Sequence, residues 1–288
     1  MGEYKISDIE ILTGIKAHTL RIWEKRYGIP NPSRTGTKIR NYSDDDLTEI
    51  LNVAILNKNG LKISLIAELN SAEKKQRVLS LWEKDTDDIY HESLLLALME
   101  LDEFRFQHTL EQLIQKYGVV DTYTKHIAKF LERIGILWIT GSIHPGQEHF
   151  MSHLIRQKLM AITDSLPMPE KDAKRVLLFL PENEWHELSL IFYHYILRSR
   201  GVNSFFLGQS LPYDSLLKCV ERLNPKALLT VCVAPMDDSF YETFFKKLKE
   251  DVPGIPIYAS GAQTQKNVEK LKQWIHPVAS VDDLKSLT

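Results

Sequence analysis

Cysteine is almost missing from this chain: Cys219 and Cys232 are the only two in 288 residues. Two cysteines make neither a disulfide framework nor a Cys-based zinc site, and a reducing cytoplasm is the compartment they lead us to expect. Long apolar runs are missing too, since none approaches the roughly 18–20 residues needed to span a bilayer. The opening residues, Met1-Gly2-Glu3-Tyr4-Lys5-Ile6-Ser7-Asp8, put acids where a secretory signal needs a basic start and an apolar core. No membrane is expected as a partner. Charge bias is also missing: 36 Lys+Arg against 38 Asp+Glu leave a formal net charge of −2, so the average gives no sign of nucleic acid. What is present is 43% hydrophobic and 26% charged residues, a mixture that excludes a disordered chain. The length suggests two or three domains.

Three segments follow from the patterning. The first, residues 1–70, reads as short helices and tight turns. Ile6, Ile9, Ile11 and Leu12 space one helix that Gly14 ends. A second runs from Ala17 to Tyr27, with Leu20, Trp23 and Tyr27 turned inward, and stops at Gly28 before Pro30 and Pro32. Residues 34–40 read as a small hairpin turning at Gly36, and Ser43 caps a helix that starts on three aspartates and runs to Lys58. Another short helix follows Gly60, around Ile63 to Leu69. The second segment, 71–170, has helical spacing throughout, in stretches 72–84, 90–101, 103–117, 120–139 and 146–166, and packs most economically as a bundle. In the third, 171–288, short apolar runs at 175–180, 204–207, 227–233 and 255–258 alternate with helical stretches at 186–200, 212–223, 239–250 and 264–275. That alternation predicts a parallel sheet covered on both faces.

The average charge conceals a local excess. From Lys16 to Arg40 there are seven basic residues against one acid, Glu24, on a helix, turn, helix and hairpin. Arg21 and Lys25 lie four apart, opposite Leu20 and Trp23, so a binding face and a packing face separate. The bland alternative is a solvated basic surface. Leu20-Arg21-Ile22-Trp23-Glu24-Lys25-Arg26-Tyr27-Gly28, followed by Pro32, Arg34, Arg40, Tyr42 and Asp44 to Asp46, closely resembles the signature of MerR-type DNA-binding domains. The resemblance implies a winged helix-turn-helix on double-stranded operator DNA, with His18, Arg21, Lys25 and Tyr27 at the DNA from the recognition helix. It implies Arg34, Lys38, Arg40 and Tyr42 there from the wing. Many MerR proteins dimerise through one long helix after this domain. Here Asn70-Ser71 and the acidic stretch 85–88 interrupt, so a homo-oligomer, dimer or tetramer, is expected to form through the rest of the chain.

In an open parallel sheet, ligands collect beyond the C-terminal ends of the strands. After the first predicted strand come Glu184 and His186. Glu184 is placed to accept a hydrogen bond from one ring nitrogen, fixing the tautomer and strengthening the other as a metal ligand. A surface histidine near a helix start is the plain alternative. Glu184-x-His186-x-x-Ser189 resembles the Asp/Glu-x-His-x-x-Gly motif of cobalamin-binding domains, in which the His ligates cobalt from below. That family continues with Ser-x-Leu and Gly-Gly. Here 40 residues separate Ser189 from Thr230-Val231-Cys232, and 27 separate Cys232 from Ser260-Gly261. The spacing fits, while Ser189, Thr230, Cys232 and Ser260 replace Gly, Ser, Leu and Gly. Thr230 keeps the hydroxyl and Cys232 is a small apolar substitute. The two serines stand where the family uses glycine beside the cofactor's nucleotide tail, and overpacking there costs on the order of 1–3 kcal/mol unless the pocket relaxes.

In the helical segment, Trp138, nine residues, then Glu148-His149 matches the Trp-x9-Glu-His motif of light-responsive cobalamin-dependent MerR regulators of the CarH/LitR type. By that resemblance the bundle caps the upper face of adenosylcobalamin. Trp138 and Glu148 then pack around the adenosyl group, and His149 takes its place on cobalt after photolysis. A rival reading takes Glu148, His149 and His153, with His144 a turn earlier, as a zinc site; another takes Trp138 as bundle core.

The fold class expected is therefore multidomain α and α/β: a winged helix-turn-helix, a helical bundle, then a flavodoxin-like (Rossmann-type) parallel α/β domain. The function expected is a cytoplasmic DNA-binding regulator, a repressor, that senses adenosylcobalamin and light by changing oligomeric state. The alternative is a MerR-type regulator whose degenerate cobalamin-like domain binds another ligand or a protein partner. An enzyme is not expected, because no length remains for a substrate domain.

Overall fold

The computed structural model describes residues 4–30, 32–34, 40–81, 87–139, 144–236 and 239–287. By compactness the chain divides into two units, Met1–Leu154 and Ile155–Thr288.

In the first unit, α1 (Ile6–Thr13) ends on Gly14 with a left-handed φ of 70°, and α2 (Ala17–Tyr27) ends in the same way on Gly28 at φ 68°. Both are conformations that only glycine adopts at little cost. The strands β1 (Ser33–Arg34) and β2 (Arg40–Asn41) pair antiparallel, Arg34 opposite Arg40. They form the base of the wing; its turn at Gly36, and Lys38, lie outside the described residues. Helix α3 (Asp44–Lys58) opens on a capping box: Ser43 Oγ accepts from the Asp46 amide while the Asp46 carboxylate accepts from the Ser43 amide. Its whole stretch from Ile50 to Leu56 is buried, because α3 packs against α1, α4 (Ile63–Ala67), α5 (Ser71–Leu81) and α6 (Asp87–Glu100). The interruption at Asn70-Ser71 is itself a helix start. Asn70 and Glu73 exchange side-chain-to-amide hydrogen bonds of 2.9 and 2.8 Å.

The bundle continues with α7 (Glu103–Asp121), a π-helical turn (Thr122–Ile127), α8 (Ala128–Ile139) and α9 (Pro145–Asp164). The break expected between 117 and 120 falls at Gly118, which adopts φ 74°, ψ 168°, and the helix expected over 120–139 contains the π-helical turn near its start. Among the described residues no helix is long and apolar enough to cross a membrane.

The second unit carries the parallel sheet. Its elements are β3 (Arg175–Phe179), α10 (Leu188–Ser199), β4 (Asn203–Phe206), α11 (Tyr213–Leu223), β5 (Ala227–Val231), α12 (Phe240–Asp251), β6 (Ile257–Ser260), α13 (Ala262–Lys266), α14 (Val268–Leu271), β7 (His276–Pro277) and a 3-10 helix (Val281–Leu287). The strand order β4-β3-β5-β6-β7, all parallel, is the flavodoxin-like order, in which the chain reverses direction across the sheet between β3 and β5. Two details depart from the sequence reading. The helix expected over 264–275 breaks at Asn267 into α13 and α14, and β7 is an added two-residue edge strand. Pro277 is tolerated there because an edge strand need not donate on both sides.

Gly261 turns β6 into α13 at φ 100°, and a Cβ there would overlap the Cys232 carbonyl oxygen and stand 2.8 Å from its carbon. Both the backbone angle and the space demand glycine. Gly261→Ala is expected to lower the free energy of unfolding by about 3 kcal/mol, measured by urea denaturation of the purified protein.

Candidate functional site

The DNA-facing candidates fall into three groups. On α2, Leu20 and Trp23 are buried while His18, Arg21, Lys25 and Arg26 are exposed, so the helix turns a basic face outward. Glu10 holds its start by accepting from Lys16 Nζ at 2.9 Å and the Ala17 amide at 3.1 Å. Tyr27, expected to be turned inward, is half-buried. On the wing, Arg40 Nε donates to Glu24 Oε2 at 2.6 Å. The one acid of the basic window thus ties wing to recognition helix and is spent internally. Arg34 lies on β1 opposite Arg40, but its side chain, like all of Lys38, is outside the described residues. The assignment of Tyr42 to the DNA surface is overturned. Tyr42 is 1% exposed and forms a two-sided backbone bridge with Tyr4, at 2.9 and 3.0 Å. It anchors the chain start to the wing base and has no surface to offer a phosphate.

Also in the first unit, Trp138 lies on α8 near its end, with its side chain outside the described residues. Glu148 and His149 open α9, and Glu148 Oε2 lies 3.0 Å from His149 Nδ1. His149 is exposed and its ring stands 6.3 Å from that of His153. His144 is committed to starting the helix: its amide donates to Gln147 Oε1 and its Nδ1 accepts from the Gly146 amide. Among the described residues no group of three or more His, Cys, Asp or Glu side chains is arranged to hold a metal ion.

In the second unit the expected residues converge on the switch point of the sheet. The helix expected from residue 186 starts at Leu188, leaving His186 on the loop after β3. Beneath it, Glu184 is 0% exposed and its carboxylate is the hub of the loops. One oxygen lies 2.6 Å from His186 Nδ1 and also accepts from the His186 amide at 3.1 Å. The other accepts from the Val233 and Ala234 amides beyond β5, both at 2.7 Å, and from Tyr241 Oη at 3.4 Å. Asn183, in left-handed conformation, and Ser210 fasten the same loop to the segment after β4: the Asn183 amide donates to Ser210 Oγ, and the Ser210 amide to the Glu184 carbonyl. Glu187, just past His186, pairs with Arg156 at 2.5 Å.

Burial alone would raise the Glu184 carboxyl. The hydrogen bond to His186 and the amides of Ala234, Val233 and His186 outweigh it and hold the pKa down to about 2. The carboxylate is therefore an anion at any physiological pH. It directs one imidazole nitrogen inward and leaves Nε2 as the atom through which His186 would bind a metal.

Cys232 is fully buried past the end of β5, and burial pushes its thiol up. Its backbone meets Ser260 and Gly261, so Glu184, His186, Cys232, Ser260 and Gly261 gather at the C-terminal ends of β3, β5 and β6. Thr230, on β5, is 0% exposed and its hydroxyl has no hydrogen-bond partner among the described residues. Ser189 is half-buried in the first turn of α10. Ser260 Oγ is 2.8 Å from Tyr193 Oη. The sequence reading missed Tyr193 and Tyr241. Tyr193 follows Ser189 by one helical turn, a spacing that could have flagged it; nothing local marks Tyr241.

The sign of the Glu184 effect is set by its lowered pKa. The stabilisation is complete above the ordinary carboxylate value of 4.5 and is lost as pH falls through about 2. Glu184→Gln is expected to lose about 3 kcal/mol of stability at pH 7 relative to the parent, a gap that narrows as pH falls below 4.5. Urea denaturation midpoints of both proteins from pH 7 down to pH 2.5 check this.

Known proteins resemble this chain both in parts and along most of its length. Residues 4–73 match the model of the MerR HTH family regulatory proteins, and residues 90–163 that of the B12 binding domain. The HTH-type transcriptional repressor CarH of Myxococcus xanthus is 28% identical over 90% of this chain and 89% of its own length. CarA of the same organism is 24% identical over 93% and 89%. Among solved structures, the Methanosarcina barkeri monomethylamine corrinoid protein has the same fold over 70% of this chain and 98% of its own, with a TM-score of 0.56 at 15% identity. The chain joins a MerR-type helix-turn-helix to a B12-binding-type domain and resembles the CarH-like repressors along nine tenths of its length.

Proposed function

We propose that this chain is a DNA-binding transcriptional repressor that senses adenosylcobalamin and, through it, light, by changing oligomeric state. The observation that carries the reading is the Glu184–His186 pair. A buried, permanently ionised carboxylate fixes an exposed imidazole at the switch point of a flavodoxin-like sheet, and this is the donor a cobalt corrinoid needs on its lower face. The orphaned Thr230 hydroxyl supports it, since a buried hydroxyl without a partner suits a site that gains one from a ligand.

The roles divide by residue. His186 would hold the cobalt of a bound corrinoid through its ring nitrogen, with Glu184 setting its tautomer and direction. Trp138 and Glu148 would pack against the adenosyl group, and His149 would bind the metal once that group is lost. When bound, the cofactor supplies a Co–C bond that light breaks. Arg21 and Lys25, with His18 and Tyr27, read the operator from α2, while Arg34 and Lys38 meet phosphates and Arg40 positions the wing against Glu24. Residues 1–70, 71–170 and 171–288 are then the DNA head, the cap and the corrinoid-binding domain. Regulation follows from multivalency: two or four linked heads hold DNA far more tightly than separated ones, so disassembly alone releases the operator. The reading places the protein in the cytoplasm.

A second reading is a regulator whose cobalamin-like domain takes another ligand or a protein partner. The Ser260–Tyr193 hydrogen bond favours it, because it occupies a position the cobalamin family leaves to glycine.

One experiment separates them. The purified protein is mixed with adenosylcobalamin in the dark, desalted, and its absorption spectrum recorded; sizing chromatography follows before and after illumination. Retained cobalamin and a light-dependent change of size are expected, with His186→Ala weakening retention by about tenfold or more and His149→Ala changing only the spectrum after light. A colourless protein of unchanged size overturns the proposal.

A further inference from the structure

His186 ligation has a consequence for the other end of a cobalamin. The lower axial position can hold one nitrogen, so a bound histidine displaces the corrinoid's own nucleotide base, which must then enter the protein or stay in water. The resemblance routes that tail past positions 189 and 260, between the helix after β3 and the strand β6.

In this chain hydrogen-bonded side chains stand along that route. Residues 258 and 260 of β6 share one face of the sheet. Ser260, 8% exposed, is bonded to Tyr193 of α10 at 2.8 Å, and Tyr258 accepts from Ser286 of the C-terminal 3-10 helix at 3.1 Å. That 3-10 helix itself packs on α10. Tyr193 stands one turn beyond Ser189 on the same side of α10, and its phenol oxygen reaches from there to Ser260 Oγ. A tail entering here would have to expel the ring and leave Ser260 without its partner.

We infer that this chain takes its corrinoid without inserting the nucleotide tail: Tyr193 and Ser260 fill the tail groove, and the site accepts tail-less cobinamides as readily as cobalamins. The inference rests on the cobalamin reading above and narrows it to a ligand class. The tail stays in solvent, and recognition falls on the corrin ring and its axial positions.

The test compares adenosylcobinamide with adenosylcobalamin on the full chain in the dark, with dissociation constants taken from absorption titrations. The two are expected to agree within about tenfold. A preference for cobalamin greater than that overturns the inference while leaving the cobalamin reading intact. Binding of neither corrinoid overturns both. The variant Tyr193→Ala with Ser260→Gly reopens the groove and is expected to shift the ratio toward cobalamin by about tenfold or more. Tyr193→Phe keeps the ring in place and is expected to keep the parent ratio. A double variant with an unchanged ratio overturns the role given to Tyr193. The comparison on the parent protein needs no variant to fold.

Discussion

The architecture of the second unit depends on one buried carboxylate. Glu184 is excluded from water, and an unpaired charge in that position would be severely destabilising. Its donors come from two loops that are far apart in sequence: His186 after β3, and Val233 and Ala234 after β5. Those are the loops on either side of the point where the strand order reverses. Satisfying the charge therefore welds the two lips of the crevice and, by the same bonds, aims the imidazole. On the proposed reading, stability and function draw on the same interactions here, so neither can be altered at this residue without the other.

How much of this was legible in the sequence follows from what each feature depends on. Helix ends governed by local chemistry were readable: Gly14 and Gly28 stop helices because of their own backbone freedom, and Ser43 starts one by bonding three residues ahead. The strand and helix alternation of the second unit was readable because a parallel sheet buries both faces and leaves near-continuous apolar runs. The Glu184–His186 hydrogen bond was readable because its partners are two residues apart. What was not readable depends on contacts distant in sequence. Tyr42 looked like a wing residue by position, and only its bridge to Tyr4, from the start of the chain, turns it into core. Nothing near Glu184 signals the amides of Val233 and Ala234, about fifty residues on. The π-helical turn after Gly118 was missed because apolar spacing there fits a continuous helix equally well.

The basic head shows a related division between charges that face outward and charges consumed in building the face. Glu24 looked like a lone flaw in a cationic window. Its pairing with Arg40 fixes the wing against α2 while leaving Arg21, Lys25 and Arg26 exposed. Arg40 thus sets the geometry from which the remaining cations act. Removing the acid would raise the net positive charge of the head and loosen the surface that presents it, so charge and affinity for DNA need not move together.

The same distinction explains which departures from the cobalamin pattern the fold can bear. Gly261 has no latitude, since its φ is left-handed and the Cys232 carbonyl fills the space where a Cβ would sit; the second glycine of the motif is kept for the backbone's sake. Position 260 faces a helix, and there a serine found a partner in Tyr193. Around His186, Glu187 pairs with Arg156, and the Glu184 carboxylate pairs with the imidazole. On the readings proposed above, a chain that kept the anion, the imidazole and the obligate glycine, while placing Tyr193 and Ser260 beside them, has kept what an axial metal bond requires and given up what a nucleotide tail requires. Those two demands are separable because they fall on different faces of the same few residues.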